Sequence, residues 1–208
     1  PFLLGHCAEN NVAVSFMTEN GRFLARVQGP VSGNVLLRRE QYRRADDPAA
    51  STAMARSVLT AKIANSRTVL LRAVRDHGDK TDSAALEDAS GYLSRILARL
   101  NGSLSLDEMR GLEGEAARAY FGVFNHCITT DKESFFFHER SRRPPLDNIN
   151  ALLSFLYTLL AHDVSAALEG VGLDPAVGYL HRDRPGRPGL ALDIMEEFRP
   201  FLADRLVL

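Results

Sequence analysis

Cysteine is almost absent from this chain. Cys7 and Cys127 stand far apart, with no CxxC pair and no histidine at zinc spacing. That supports neither a disulfide framework nor a structural zinc site, and a reducing cytoplasm, as in bacteria, is the simplest compartment. A Gly-rich phosphate loop and a dinucleotide fingerprint are also missing, so the folds that cradle nucleotides through them are not expected. No apolar run approaches the length of a membrane span, and no basic segment leads into a signal-like core, so no membrane role is expected. Internal repeats and low-complexity tracts are lacking. Charge of one sign is lacking as well, with a net charge of −1, and lysine is scarce beside arginine.

What is present is enough apolar material for a real core: 208 residues at 45% hydrophobic content. Such a chain suits one domain plus part of another. Phe2 to Asn10 reads as a short helix. Val12 to Phe16 and Arg22 to Val27 read as strands around Thr18-Glu19-Asn20-Gly21, an Asn-Gly hairpin signal. Gln28-Gly29-Pro30-Val31-Ser32-Gly33 marks the change from period-two to helical patterning. Beyond it, helices are predicted at about 34–44, 48–75, 81–100, 105–126, 147–170 and 190–205, with Asp147 a cap and Gly170 a stop. The fold class is therefore mainly α. Residues 1–30 read as a helix plus a β-hairpin and residues 31–208 as an α-helical domain. The chain begins at Pro1 and ends in Leu206-Val207-Leu208 within a helical pattern, so both termini read as cut.

Two short runs concentrate metal-ligating side chains. Ser105-Leu106-Asp107-Glu108 is a capping box that opens a helix in which Glu113 lies, one turn from Ala116, Ala117 and Tyr120. A carboxylate on that small-residue face needs a cation or a metal, and a salt bridge to an arginine is the plain alternative. The second run is His181, in a turn-rich basic loop, followed by Asp193, Glu196 and Glu197 at i, i+3 and i+4 of a helix. Ile194, Met195, Phe198, Phe201 and Leu202 form the opposite, apolar side, which places the acidic edge at a groove. An ordinary solvated acidic face and a loop histidine without special duty are the plain alternatives here. Carboxylates with one imidazole suit Mn²⁺ or Mg²⁺, which implies phosphodiester chemistry on nucleic acid or a nucleotide.

Arginines are unevenly placed. Arg22, Arg26, Arg38, Arg39, Arg43 and Arg44 cluster early, while Arg140, Arg142, Arg143, Arg182, Arg184 and Arg187 flank the acidic and histidine positions. Guanidinium forks bind phosphate oxygens, so these clusters suit a polyanionic backbone unless the abundant Asp and Glu consume them. Phe135-Phe136-Phe137 fits a core segment better than an exposed anchor.

Taken together, the residues match a known family. Arg110 to Phe121 (RGLEGEAARAYF), Arg142 to Phe155 (RRPPLDNINALLSF) and Gly172 to Arg199 (GLDPAVGYLHRDRPGRPGLALDIMEEFR) closely resemble the universal integrase of CRISPR spacer acquisition, CRISPR-associated protein one. The resemblance covers nearly the whole chain, with its three motifs in the family's order, and implies that residues 1–30 are the remnant of a larger N-terminal β-rich domain and residues 31–208 the α-helical catalytic, metal- and DNA-binding domain. Gly21 to Arg26, and Gly33 to Arg38 through Gln41-Tyr42, resemble the type I-C form.

The resemblance implies a metal held by Glu113, His181 and Glu196, with Asp193 a further acidic catalytic position. Glu196 stands where some relatives have Asp. It implies a metal-dependent DNA endonuclease and integrase: a DNA 3′-hydroxyl attacks a phosphodiester of the repeat array while the ion stabilises charge on the phosphorane oxygens. It further implies double-stranded DNA as substrate, both captured fragment and repeat array, a homodimer, and a small ferredoxin-like second CRISPR adaptation protein. The phosphate contacts are assigned to Arg140, Arg142, Arg143, Arg182 and Arg184 from charge and proximity in sequence. The competing readings are a non-catalytic helical DNA- or protein-binding module and a metallohydrolase of nucleotides.

Overall fold

A computed structural model describes residues 1–10, 12–19, 23–27, 29 and 35–208. The order is α1 (Phe2–Glu9), β1 (Val14–Met17), β2 (Phe23–Val27), α2 (Val35–Asp46), α3 (Pro48–His77), α4 (Ser83–Leu100), α5 (Leu106–Gly122), α6 (Asn148–Gly170) and α7 (Gly189–Phe198). A 3₁₀ turn, Phe124–Cys127, follows α5, and a π-helical turn, Arg199–Asp204, continues α7 into a last helical turn, Arg205–Val207. The mainly helical class expected from the sequence matches this architecture.

The 30-residue α3 is the axis of the molecule, with α4, α5 and α7 packed along it. Its start is local chemistry: Asp47 accepts from the Ala49 amide at 2.9 Å and Pro48 occupies the first helical position, where its missing N–H costs nothing. The same proline ends α2, because the residue before a proline is pushed out of helical geometry. Ser51, Ala55, Leu59, Ile63, Ser66 and Leu70 recur at three- and four-residue spacing and form its buried stripe. Leu59 and Leu70 are 0% exposed, as are Leu86, Leu93 and Ile96 of α4 facing them. Each such side chain contributes about 1.5–3 kcal/mol by leaving water. On α5 the stripe is Met109, Leu112, Ala116 and Tyr120, opened by the expected capping box of Ser105 and Glu108. Glu113 sits one residue past Leu112, at the rim of that stripe.

The hairpin forms as expected, with Val14 opposite Val27 and a register irregularity between Phe16 and Met17. Its Asn20-Gly21 turn lies outside the described residues, as do Arg22 and most of the expected boundary at Gln28 to Gly33. The hairpin rests on α6: the rings of Phe23 and His162 stack at 4.3 Å, and Arg26 pairs with Glu169.

Four details depart from the sequence reading. α6 is stopped by Gly172 rather than Gly170. Gly172 takes φ 88° while its amide bonds to Glu169 O and that of Leu173 to Leu168 O, a Schellman closure that needs the left-handed conformation. α6, with 23 residues, is also long and apolar enough by composition to cross a membrane, an 18-residue stretch of it reaching a mean hydropathy of 1.5. The expectation that no run approaches such length missed it, because Asn150, Ser154, Thr158, His162 and Asp163 punctuate it. In the fold, Leu153, Tyr157, Val164 and Leu168 of this helix are buried, and it packs against α7 and the π-helical turn.

The apolar side assigned to α7 is the third. Phe201 and Leu202 are 50% and 48% exposed, while Asp193 and Glu196 are 0% and 3% exposed. The acidic side faces inward because Asp193 and Glu196 find buried partners there, and the π-helical turn at Arg199–Asp204, which follows them with Pro200 at its start, redirects only the residues beyond Phe198, Phe201 and Leu202 among them. Last, the three phenylalanines divide: Phe137 is buried at 2% exposure and Phe136 is exposed.

Candidate active site

Glu113 arrives from α5, Glu196 and Asp193 from α7, and His181 from the loop that precedes α7. That loop is pinned by Asp193. Its Oδ2 accepts from the amides of Tyr179 at 2.6 Å and Leu180 at 2.9 Å; its Oδ1 accepts from the amide of His181 at 3.0 Å. The His181 Nδ1 lies 2.6 Å from the same Oδ1. With Nδ1–H donating to Asp193, the lone pair of Nε2 points the other way, toward Glu196 Oε1 at 4.0 Å. Only glycine fits where the loop crosses the start of α7: a Cβ on Gly178 would lie 2.6 Å from the Gly189 carbonyl carbon and 2.8 Å from Asp193 Oδ2.

Arg110 clamps the loop from outside, donating through Nε and Nη2 to Leu180 O at 2.9 and 2.6 Å. Asn65 of α3 donates to Glu197 O at 2.8 Å, so Glu197 holds α7 through its backbone.

Glu113 and Glu196 are joined by a residue that sequence reasoning did not select. Lys62, on α3, ion-pairs with Glu113 Oε1 and, at 2.7 Å, with Glu196 Oε2. The expected plain partner of Glu113 was an arginine; the observed one is this lysine. Arg199 contacts the other Glu196 oxygen, Oε1. Burial pushes the Glu196 carboxyl up, but the charges of Lys62 and Arg199 outweigh it and hold it below the usual range. Burial likewise opposes the Lys62 charge, and the two carboxylates overcome it, raising the ammonium above its ordinary value. Among the described residues no three acidic, histidine or cysteine side chains close around one point, because the ammonium stands between the carboxylates.

Beyond Arg199 lies a second buried carboxylate. Asp204 accepts from Tyr157 Oη at 2.6 Å and Tyr120 Oη at 2.9 Å. The guanidinium groups of Arg199 and Arg140 lie over the Tyr157 ring at 4.8 and 5.3 Å. Burial pushes the Asp204 carboxyl up to about 6 against the pull of both hydroxyls and the arginines. The folded chain therefore holds a proton on Asp204 between pH values near 4 and 6, where the unfolded chain has lost it. This contribution to stability is full below the unfolded value of 3.8 and is lost as pH rises through about 6. Asp204→Asn lacks that loss, so its stability relative to wild type is expected to rise by up to roughly 3 kcal/mol across the window. Urea unfolding at stepped pH measures it, and a flat difference refutes it.

The arginines divide. Of the early cluster, Arg26 pairs with Glu169, Arg44 with Glu40, and Arg38 donates to Gly172 O. Arg140 is turned inward onto Ser141 O and Asn150 Oδ1, yet it lines, with Arg142 and Arg199, a hollow of about 160 Å³ on one side of Glu113. Arg182, Arg184, Arg187 and Arg110 line a wider hollow of about 410 Å³ on the other side. Arg182 also pairs with Asp107 at 2.7 Å. Arg143 is exposed and lines neither hollow.

The fold and site define a helical protein with an acidic pair and a carboxylate-held imidazole between two arginine-lined hollows. The particular family follows from comparison: the chain belongs to the Cas1 family, whose model, described as CRISPR associated protein Cas1, matches residues 1–208. The CRISPR-associated endonuclease Cas1 1 of Chlorobaculum tepidum is 57% identical over 208 residues, covering 100% of this chain and 61% of that protein. Among solved structures, a casposase bound to integration product aligns with a TM-score of 0.80 at 29% identity, covering 98% of this chain and 55% of that one. A partial Cas6-RT-Cas1–Cas2 complex aligns with a TM-score of 0.74 at 28% identity, over 98% of this chain and 59% of that one. The chain thus spans about 61% of the length of the curated relative it matches.

Proposed function

We propose that this chain carries the catalytic region of a metal-dependent DNA endonuclease and integrase, which inserts captured DNA into a CRISPR repeat array in bacterial antiviral defence. The observation behind it is that Glu113 and Glu196 share one cation while the Asp193-held His181 stands 4.0 Å from Glu196, between two arginine-lined hollows. Transesterification needs two strands at one point: the 3′-hydroxyl of one attacks the phosphorus of the other, a new phosphodiester forms, and the displaced 3′-oxygen leaves with a proton. Two hollows on either side of Glu113 offer room for two backbones. The casposase neighbour, bound to its integration product, supports the same reading.

The donor set fits a hard divalent ion. Glu113 and Glu196 already share one cation, and the Nε2 face of His181 adds a nitrogen. Mn²⁺ or Mg²⁺ held by Glu113, His181 and Glu196 would supply Lewis-acid stabilisation of charge on the phosphoryl oxygens. Asp193 fixes the tautomer and direction of His181, so its part in catalysis is exerted through the imidazole. Arg140 and Arg142 on one side, and Arg182 and Arg184 on the other, bind phosphate oxygens, with Arg143 an outer contact. We assign the chain to the type I-C form, acting in the cytoplasm as a homodimer with a small ferredoxin-like second adaptation protein. A Cas1–Cas2 complex among the neighbours supports that partnership.

The direct test is cleavage and strand transfer of branched duplex DNA by this chain with and without Mn²⁺; metal-dependent product is expected, and metal-independent product would refute the reading. The arginine assignment has its own measurement. Replacing Arg142 and Arg184 by alanine is expected to reduce the slope of log K against log salt for duplex binding by about 2, close to one unit per lost phosphate contact. An unchanged slope removes both from the DNA surface.

A further inference from the structure

Lys62 is a lone ammonium on a long helix among many arginines, one of three lysines in the chain. Its side chain is only 13% exposed, and a buried ammonium is stable only against negative partners. It has two, one on α5 and one on α7. We infer that Lys62 is the built-in counter-ion of the Glu113 and Glu196 pair, and that it competes with a divalent cation for the same carboxylate oxygens. This rests on reading those carboxylates as metal ligands.

The charge balance makes the case. Glu113 and Glu196 carry two negative charges, which Lys62 and Arg199 balance, and Asp193 behind His181 adds one more negative charge. A divalent ion added without a departure leaves a net excess of one positive charge in a largely buried place and sets three cations on two carboxylates, which Coulomb repulsion opposes. One of the cations must yield. Arg199 is stacked on the Tyr157 ring at 4.8 Å and pairs with Glu196 Oε1. Lys62 carries its charge on a flexible four-carbon stem, and its neighbouring space is the hollow it shares with Arg140 and Arg142. Lys62 is therefore the group that moves. It keeps the two carboxylates together before an ion arrives and lowers the affinity of the site for that ion. A phosphate oxygen entering the hollow offers the ammonium a second partner, so DNA binding eases the exchange.

The test is the affinity for Mn²⁺, read from the spin-resonance signal of the free ion at fixed neutral pH, for wild type, Lys62→Met and Lys62→Arg. Lys62→Met is expected to bind Mn²⁺ about tenfold more tightly than wild type, and Lys62→Arg, which keeps the charge, about as weakly as wild type. Without metal, Lys62→Met is expected to melt lower than wild type, with Mn²⁺ raising its Tm by more than it raises that of wild type. A short duplex is expected to tighten Mn²⁺ binding to wild type by a larger factor than binding to Lys62→Met. Unchanged or weaker Mn²⁺ affinity in folded Lys62→Met overturns the inference, and equal factors with the duplex overturn the exchange with phosphate.

If Lys62→Met does not fold alone, Lys62→Met/Glu113→Gln removes one charge of each sign and is expected to restore most of the lost stability; no recovery overturns the counter-ion role. Wild type whose Mn²⁺ binding is indifferent to Glu113→Gln would overturn the metal reading instead, while the double variant still decides whether Lys62 balances the pair.

Discussion

Glu113→Ala is expected to lower Mn²⁺-dependent cleavage and strand transfer of branched duplex DNA by roughly 10³-fold or more, with little loss of stability. The two halves of that expectation come from where the residue sits. Glu113 lies at the rim of the α5 stripe, its side chain is 33% exposed, and the neighbouring core positions Leu112 and Ala116 do not depend on it. After its removal Lys62 still has Glu196 at 2.7 Å, so no buried charge is orphaned. The loss should therefore be chemical, visible in single-turnover product with an unchanged urea midpoint. Glu196→Ala is the contrasting case. Glu196 is 3% exposed and balances both Lys62 and Arg199, so its removal is expected to cost stability as well as activity. Equal product from wild type and Glu113→Ala would place the reaction elsewhere.

The second large effect is on folding. Asp193→Ala is expected to destabilise the chain by about 3–5 kcal/mol, because it strips a fully buried acceptor from three backbone amides and one imidazole at once. Backbone donors left without partners away from water are among the most expensive single losses a protein meets. Asp193→Asn keeps the volume and one acceptor oxygen but turns an amide toward the donors. It should fold with a smaller penalty and still release the His181 ring. Its Mn²⁺ affinity is expected to fall by about 10–100-fold, the usual consequence of losing the partner that orients a ligating histidine. Urea unfolding for the first variant and Mn²⁺ binding for the second are the measurements. An Asp193→Ala protein as stable as wild type would show that the loop does not hang on this carboxylate.

Much of this architecture was legible because local chemistry decides it. The capping box at Ser105, the Asp147 cap and the apolar spacing along α3 and α5 act within a few residues, and the helices they predict are the ones observed. Glu113, His181 and Glu196 stand out in a linear reading as unusual side chains in unusual places, and packing brings Glu196 within 4.0 Å of His181 and onto the lysine that Glu113 also holds. Their neighbours do not stand out. Lys62 is 51 residues from Glu113, and no periodicity connects them. Nor does any spacing announce that Tyr120, Tyr157 and Asp204, from three separate elements, share two hydrogen bonds in the interior. The inward turn of the acidic side of α7 was misjudged for the same reason: the loop amides that hold Asp193 and the Lys62 ammonium that holds Glu196 are brought there only by packing, while the π-helical turn after Phe198 redirects Phe201 and Leu202 alone.

The helices, the hairpin, the family resemblance and the identity of the acidic and imidazole groups are thus properties of contiguous segments, and the order of residues alone carried them. What those groups face was decided by packing. It set Asp193 beneath the loop as its anchor, put Lys62 between two carboxylates from different helices, and divided the arginines between internal partners and the two hollows. The physical reason is that burial and charge balance are properties of a place in space. A carboxylate has no fixed role until packing has determined which cation, backbone donor or water it must meet.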